Sequence, residues 1–296
     1  MRDLYDMTHS NQPYIGRFAP SPSGELHFGS LIAALGSYLR ARSQQGIWRI
    51  RIDDIDSTRC IKNADSQILN ALEQLGFTWD GAVTYQHQHT NLYAEALERL
   101  LNNNQAYGCQ CSRRKLKNLQ GVYNGACRFL KLDPNQNGIR FRNTRQDNVI
   151  FDSVQGQHDI SLPFAAQDFT LKRRDGIISY NLAVVIDDIE QGITEVVRGA
   201  DLLDSTIHQQ QLYLACDHPY PKWLHLPLAL DISGYKLSKQ NKAKPLDLHE
   251  PQKTLIQALN FLNQPTFAGM EELTPASILR YSIANFDVQS IPKKRK

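Results

Sequence analysis

Residues 17–30 read Arg-Phe-Ala-Pro-Ser-Pro-Ser-Gly-Glu-Leu-His-Phe-Gly-Ser, and this stretch decides the fold. Residues 14–18 predict a short strand that runs into it, and apolar residues recur at helical spacing over residues 31–39. Residues 47–52 then alternate in the manner of a second strand. Because a helix that joins two strands of one sheet makes them parallel, the opening predicts a βαβ unit in an α/β protein.

The loop between the first strand and the helix has the composition of an anion site. A helix that starts there points free N–H groups and the positive end of its dipole at the loop, which suits a triphosphate. His27 would add a hydrogen-bond donor, and Gly29 would let a nucleotide approach the backbone closely. Taken alone, the same stretch could equally be a structural loop that ends in a capped helix.

A second basic loop lies late in the chain, at Lys236-Leu-Ser-Lys239-Gln. Two lysines that flank a serine on a polar loop suit a clamp on charge that develops during phosphate transfer. A solvated surface loop is the ordinary alternative for such a segment.

Three cysteines and one tyrosine lie close together in the middle of the sequence: Cys109, Cys111, Tyr123 and Cys127. Their spacing predicts a structural metal site with four ligands. Histidine is the usual fourth ligand, but residues 98–152 contain none, so a Tyr123 phenolate is the candidate. Thiols that serve only the core are the alternative. Cys60 and Cys216 are isolated and are predicted to be buried small hydrophobic residues.

Acidic residues and arginines form a fourth group, at residues 51–56 and 192–201, together with Tyr180. An amino-acid substrate needs a carboxylate for its ammonium group and a guanidinium for each carboxylate. Asp53 could supply the first, and Arg17 and Arg198 the second. Surface ion pairs are the alternative.

Composition sets broad limits. The chain has 296 residues, a hydrophobic fraction of 41%, five cysteines and a net charge of +3, which is weak support for a nucleic-acid partner. An odd cysteine count with clustered thiols favours a reducing compartment. We see no secretory signal and no apolar run of about 20 residues, so we expect a cytoplasmic protein without a membrane segment.

The pattern along the chain predicts four regions. Residues 1–105 and 177–245 form the two halves of a nucleotide-binding domain, residues 106–176 form an insertion with the metal site, and residues 246–296 form a helical region. Further helices are predicted at residues 61–76, 91–104, 201–215, 254–262 and 275–284, and further strands at residues 177–186, 192–197 and 224–230.

Together the motifs resemble class I aminoacyl-tRNA synthetases. Residues 17–30 look like the glutamyl form of the HIGH element and residues 236–240 like the KMSKS element, while residues 51–56 and 194–201 resemble further glutamyl-type segments. The resemblance implies a Rossmann-type nucleotide-binding α/β fold with a zinc-binding insertion and a short C-terminal helical region. The stretch after Gln240 is short, so we expect no anticodon-binding domain.

The sequence is most similar to the narrower glutamyl-Q tRNA(Asp) synthetase family, which implies ATP-dependent formation of glutamyl-adenylate and transfer of glutamate to queuosine in tRNA(Asp). The implied ligands are L-glutamate, ATP with Mg²⁺, Zn²⁺ and the queuosine-bearing tRNA, with the protein as a monomer. The implied catalytic residues are His27, Lys236 and Lys239; the ATP residues are His27, Gly29, Ser30 and Lys239; and the zinc ligands are Cys109, Cys111, Tyr123 and Cys127. The implied glutamate residues are Arg17, Phe18, Ala19, Pro20, Ser21, Asp53, Tyr180 and Arg198.

Two positions depart from the family pattern. Asp53 stands where glutamate is usual, and Ser30 replaces the last histidine of the HIGH element. Three other functions remain as alternatives: glutamylation of a tRNA 3′ end, RNA binding without catalysis, and nucleotidyl transfer to a small molecule.

Overall fold

The computed structural model describes residues 13–117, 119, 122–229 and 244–293. Its strands are β1 Ile15–Phe18, β2 Ile47–Ile52, β3 Thr84–Tyr85, β4 Ala106–Cys109, β5 Gly138–Phe141, β6 Val149–Asp152, β7 Gly156–Asp159, β8 Thr170–Lys172, β9 Glu195–Gly199 and β10 Lys222–Leu226. Its α-helices are α1 Phe28–Ser43, α2 Ala64–Gln74, α3 Thr90–Asn102, α4 Arg113–Lys117, α5 Leu162–Ala166, α6 Tyr180–Glu190, α7 Thr206–Ala215, α8 Pro251–Phe261 and α9 Pro275–Ala284.

The predicted βαβ unit is confirmed. Strands β1 and β2 pair in parallel, with Ile15 opposite Ile47 and Phe18 opposite Ile50, and helix α1 joins them. Strand β3 pairs in parallel on the other side of β2. The apolar face of α1 is buried, with Leu31, Leu35 and Leu39 inaccessible to solvent, which anchors this helix on the sheet.

The second parallel pair, β9 and β10, lies beside the first. The backbone N–H of Thr194 donates to the Ile15 carbonyl at 2.9 Å, which holds β9 along β1. The strands therefore lie side by side in the order β3-β2-β1-β9-β10, as a three-stranded and a two-stranded sheet that contact through β1 and β9. The direction in which the strand order grows reverses between β1 and β9. In a doubly wound sheet this reversal point is where ligands bind.

Helix α1 packs closely against both pairs. A Cβ atom on Gly36 would come within 2.5 Å of Leu226 Cδ1 on β10, so a larger residue at this contact would force the buried Leu226 side chain to move. Helices α8 and α9 pack on α1 and add Leu255, Leu259 and Ile278 to the same core. Both C-terminal helices were expected from their apolar spacing.

Residues 106–176, which the sequence predicts to be an insertion and which we call the insertion, contain an antiparallel sheet in the order β4-β5-β8 and a β6–β7 hairpin. The hairpin also contacts β10, because the Ser153 N–H donates to the Trp223 carbonyl at 2.8 Å. The insertion therefore reaches back to the parallel strands.

One predicted strand is wrong. Most of residues 177–186 form the start of helix α6, which the Ser179 hydroxyl caps by accepting from the Leu182 N–H. A continuous apolar run does not distinguish a strand from a buried helix, and this helix is buried on both sides. The helix expected at residues 201–215 begins only at Thr206, after a 3₁₀ turn at Ala200–Leu202.

Candidate active site and metal centre

Arg17, at the end of β1, is buried and paired with Asp188 on α6. Arg17 Nε lies 3.1 Å from Asp188 Oδ1, and Nη2 lies 3.2 Å from Oδ2. The two side chains therefore form a bidentate ion pair, and Arg17 already holds one carboxylate supplied by the fold.

Arg51 on β2 is fully buried and holds the neighbouring acids. Its Nε donates to Asp53 Oδ1 at 2.7 Å, and its Nη1 donates to Asp188 Oδ1 at 2.6 Å. Asp187 lies 3.6 Å from the same guanidinium. Burial raises the pKa of Asp53 to about 6, although Arg51 opposes the shift. The carboxylate predicted to hold the substrate ammonium is thus fixed in place by Arg51.

Arg198 on β9 has a different environment. Its Nε donates to His225 Nε2 at 3.0 Å and its Nη2 donates to Thr206 Oγ1 at 2.8 Å, while the guanidinium carbon lies 5.2 Å from the Trp223 ring centre. Burial lowers the pKa of Arg198, and Tyr180 and Arg17 lie close enough to influence it. Within the described ranges no carboxylate forms an ion pair with Arg198, and its buried Nη1 has no hydrogen-bond partner.

Tyr213 Oη and Arg51 Nη2 are among the other buried polar atoms that lack a partner in the part of the chain that the structure describes. The charges of Arg17, Arg198 and Asp188 all influence the pKa of Tyr213, which burial raises. Unpaired buried polar atoms are costly unless a ligand satisfies them. Together with Arg198 Nη1 they indicate a pocket that accepts a polar, anionic ligand.

His27 caps helix α1. Its Nδ1 accepts from the Ser30 N–H at 3.2 Å, and its Nε2 lies 3.0 Å from the Ser30 hydroxyl. Its backbone forms a β-bridge with Pro245, and the Leu246 N–H donates to the Leu26 carbonyl at 3.0 Å. Lys236 and Lys239 lie outside the described residues, but the chain resumes after them against the His27 loop.

The other predicted ligand residues lie around the same loop. The Phe18 ring belongs to the core, stacked 6.4 Å from Trp48, so only its backbone can border the pocket. The Pro20 carbonyl accepts from the Asp53 N–H at 2.9 Å, which ties the loop to the end of β2. Ala19 and Gly29 are half-buried, Ser21 is exposed, and Tyr180 is 39% exposed at the start of α6.

Three residues in this region escaped the sequence prediction: Asp187, Asp188 and His225. The two aspartates directly follow residues 177–186, which were interpreted as a strand, so nothing in the predicted pattern placed them beside Arg17. The sequence did contain an indication of their role, because two adjacent acidic residues at the end of a buried apolar run need polar or charged partners. The role of His225 depends on its register opposite Arg198, which only the strand pairing reveals.

The three predicted thiol ligands converge. The sulfur atoms of Cys109, Cys111 and Cys127 lie within 4.8 Å of one another, with 3.5 Å between Cys111 and Cys127. Tyr123 Oη lies 3.7 Å from Cys109 Sγ. A tetrahedral zinc with ordinary bond lengths would place a sulfur and an oxygen ligand about 3.5 Å apart. The donor set and its spacing therefore fit a metal ion.

Arg140, which the sequence prediction missed, contacts two members of this cluster. Its Nε donates to Cys109 Sγ at 3.3 Å, and its guanidinium carbon lies 3.9 Å from the Tyr123 ring centre. The Tyr123 oxygen also accepts from the Cys127 N–H at 2.8 Å. These contacts orient the donors and offset negative charge on the sulfur atoms.

Comparisons with known proteins identify the family of this chain. The family model of the catalytic domain of class I tRNA synthetases for glutamate and glutamine matches residues 15–274. The chain is 48% identical to a Shewanella oneidensis protein named Glutamyl-Q tRNA(Asp) synthetase, covering 96% of this chain and 94% of that one. A Serratia proteamaculans protein of the same name is 46% identical, covering 95% of this chain and 93% of that one.

Solved structures of two glutamate–tRNA ligases share the fold. The Elizabethkingia meningosepticum enzyme, solved with its amino acid, has a TM-score of 0.80 at 24% identity, over 95% of this chain and 66% of that one. The Elizabethkingia anophelis enzyme gives 0.79 at 23%, over 96% of this chain and 68% of that one. Among the described residues, no helix is long and apolar enough to cross a membrane.

Proposed function

Because this chain belongs to the class I tRNA synthetases of the glutamate and glutamine type, we propose that it activates L-glutamate with ATP and transfers the glutamyl group to queuosine in tRNA(Asp). The relatives that are 46–48% identical over nearly their whole length carry the name of this activity. The protein is an ATP-dependent ligase of the aminoacyl-tRNA synthetase type, and enzymes of this class use ATP with Mg²⁺.

Arg198 carries the proposal for glutamate. It is a buried cation with no carboxylate partner in the described part of the chain, beside Arg17, which has one. A buried charge is costly unless it is paired, so the pocket favours a ligand that brings a carboxylate. The side-chain carboxylate of glutamate fits this requirement, whereas the neutral amide of glutamine leaves the cation uncompensated.

The ammonium group of glutamate is assigned to Asp53 and Tyr180. Arg51 fixes the Asp53 carboxylate from one side at 2.7 Å, which leaves its second oxygen for the substrate. Aspartate reaches one methylene less far than the glutamate that is usual in the family. Because the Asp53 backbone is hydrogen-bonded to Pro20, it cannot move far enough to make up for the shorter side chain. The proposal therefore includes a water molecule between Asp53 and the ammonium group.

In the first step the α-carboxylate of glutamate attacks the α-phosphorus of ATP and pyrophosphate leaves. The carboxylate is already ionised, so the reaction needs no general base, and positioning and charge stabilisation lower the barrier. The N-terminus of α1 binds phosphate oxygens, and His27 shapes that terminus by capping it. Lys236 and Lys239 neutralise charge on the leaving pyrophosphate.

In the second step a hydroxyl of the modified base attacks the glutamyl carbonyl and releases AMP. The base must leave its stack to reach this pocket. Glutamate transfer to the 3′ end of tRNA(Glu) is the alternative, and the names of the relatives favour queuosine.

We assign zinc to Cys109, Cys111, Tyr123 and Cys127. A closed set of four protein ligands is typical of a structural zinc site, which stabilises the insertion and takes no part in the reaction.

Mass spectrometry of tRNA nucleosides tests the transfer. The enzyme is incubated with ATP, glutamate and either queuosine-bearing tRNA(Asp) or tRNA(Glu), and we expect a glutamyl-queuosine nucleoside from the first. Glutamate on the 3′ end of tRNA(Glu), with unchanged queuosine, would contradict the proposal.

Pyrophosphate exchange without tRNA tests the activation step. We expect His27→Ala and Lys239→Ala to abolish glutamate-dependent exchange and Lys253→Ala, an exposed lysine paired with Glu250, to leave it unchanged. Near wild-type exchange in the first two variants would defeat the mechanism.

A further inference from the structure

A buried chain of hydrogen bonds runs from Asp152 through His225 to Arg198. Asp152 Oδ2 lies 2.6 Å from His225 Nδ1 and accepts the His225 backbone N–H at 2.9 Å. His225 Nε2 lies 3.0 Å from Arg198 Nε. The side chains of Asp152 and His225 are both inaccessible to solvent. Three elements meet here, because Asp152 ends β6, His225 is on β10 and Arg198 is on β9.

The hydrogen bonds of this chain have only one possible direction. Arginine Nε is a donor and never an acceptor, so His225 Nε2 must accept. The ring proton of neutral His225 therefore sits on Nδ1 and is donated to Asp152. Burial lowers the pKa of His225 to about 4, so the ring is neutral at neutral pH. Asp152 thereby selects the His225 tautomer whose Nε2 can accept the hydrogen bond from Arg198 Nε.

Asp152 is itself fixed by its own loop. Its Oδ1 accepts from the Val154 N–H at 2.9 Å and from the Gln155 N–H at 2.8 Å, in the turn between β6 and β7. The Gln155 side chain donates to the His225 carbonyl at 2.7 Å, which closes the loop onto β10. Burial raises the pKa of Asp152, but the hydrogen bond from His225 and then these backbone bonds outweigh it and lower the pKa, so the carboxylate remains charged.

We propose that Asp152 and His225 are positioning residues that orient Arg198 for the substrate side-chain carboxylate. His225 holds Nε and Thr206 holds Nη2, so the plane of the guanidinium is fixed and Nη1 is the nitrogen left for a ligand. The identity of that ligand rests on the proposed function. Preorganisation of this kind lowers the ordering cost of binding and sharpens the choice of ligand.

The expected consequence is selectivity for glutamate. A guanidinium that is buried without an ion-pair partner pairs with an anion and gains little from a neutral amide. A guanidinium that is free to rotate would form hydrogen bonds either with a carboxylate or with an amide. Loss of the Asp152–His225 pair should therefore weaken glutamate binding and narrow the preference for glutamate over glutamine.

Asp152→Asn tests the proposal with a nearly isosteric change. When the new amide oxygen keeps the Val154 and Gln155 N–H groups, the amide nitrogen faces His225 Nδ1 and cannot accept from it. The favoured tautomer then moves the ring proton to Nε2, where it meets the Arg198 Nε–H. In glutamate-dependent pyrophosphate exchange we expect the KM for glutamate to rise about tenfold to a hundredfold while the KM for ATP stays unchanged. The glutamate-to-glutamine preference should fall by a similar factor.

Substitutions of His225 separate positioning from packing. In His225→Gln the amide oxygen can still accept from Arg198 Nε, whereas His225→Leu removes the acceptor. We expect His225→Gln to retain a lower KM for glutamate than His225→Leu at matched thermal stability. Asp204→Asn is the matched control, because Asp204 and His158 form a second aspartate–histidine pair at 2.8 Å that is exposed. This control should keep the wild-type KM.

Arg198→Lys distinguishes a failure of this proposal from a failure of the proposed function. If Arg198→Lys raises the KM for glutamate but Asp152→Asn and His225→Leu do not, Arg198 binds glutamate without help and the positioning role is overturned. If Arg198→Lys leaves the KM unchanged, the assignment of the pocket is overturned too.

Nitrogen-15 NMR of the wild-type protein keeps the test independent of how the variants fold. A chemical shift typical of an unprotonated Nε2 in His225 is expected at neutral pH. A protonated Nε2 would overturn the positioning role, whatever the variants show.

Discussion

Charged groups lie close together both in the pocket around Arg198 and in the cysteine cluster of the insertion, but their charges are balanced in different ways. In the pocket, Arg17 and Arg51 are already paired with aspartates that the fold supplies. In the cluster, three sulfur atoms lie within 4.8 Å, and among the described residues Arg140 is the cation that contacts them. The fold therefore balances most of the charge in the pocket and leaves Arg198 for a ligand, whereas the cluster has the donor set that a metal ion would balance.

Arg198→Met should produce the largest effect, because it removes the cation that lacks a carboxylate partner. Truncation of one side of a buried charge pair costs about 2–5 kcal/mol, so we expect kcat/KM for glutamate to fall about a thousandfold. Exchange kinetics with varied glutamate measure this loss. Arg145→Met, at an exposed arginine paired with Asp147, is the control. A loss of less than tenfold would mean that the pocket is not organised around Arg198.

Cys127→Ser should mainly affect the insertion. We expect about one zinc per wild-type chain and well under half of that in the variant, because oxygen is a poorer zinc ligand than thiolate in this setting. The free energy of unfolding should fall by about 2–3 kcal/mol, read as a melting temperature lower by about 4–12 °C. Cys216→Ser is the control, because Cys216 is also buried but lies outside the cluster. A wild-type chain without metal would remove the zinc assignment.

The pH dependence of Asp53 should be the smallest effect. Its pKa is raised to about 6, mainly by burial and with opposition from Arg51, so protonation below pH 6 removes the carboxylate assigned to the substrate ammonium. We expect the KM for glutamate to rise roughly tenfold between pH 7 and pH 5, since the charged fraction falls about tenfold per unit below the pKa. In Asp53→Asn the KM should already be high at pH 7 and should change little with pH.

Folding stability should respond to Asp53 in the opposite direction. The folded chain holds this proton more tightly than the unfolded chain, whose aspartate has a pKa of 3.8. The contribution of Asp53 to the free energy of unfolding is therefore fully present below that value and is lost as the pH rises through about 6. Denaturant titrations of wild-type and Asp53→Asn protein measure this difference. A contribution that grows with pH would mean that Arg51, and not burial, controls this carboxylate.

The sequence predicted the parts of the site that depend on local pattern. The loop before α1, the parallel pairing of β1 with β2 and the three converging thiols all follow from short motifs whose spacing limits the geometry. The sequence also placed Arg17 and Arg198 in one site, through motifs on strands that the structure shows at adjacent positions.

The missed residues depend on contacts between distant segments. Asp188 is 171 positions from Arg17, and it was hidden because a buried helix and a buried strand share the same apolar run. Arg140 contacts Cys109 only because β4 and β5 pair antiparallel. No local pattern specifies such a register, so these partners could not be predicted from the residues around them.

Asp152 has a consequence for how this enzyme can be altered. It belongs to the β6–β7 hairpin of the insertion, yet its carboxylate bonds to a histidine of the parallel sheet. The insertion is therefore not an interchangeable module. A chimera that exchanges residues 106–176 for the corresponding segment of a relative would have to retain an acceptor at this position, or its amino-acid selectivity would change.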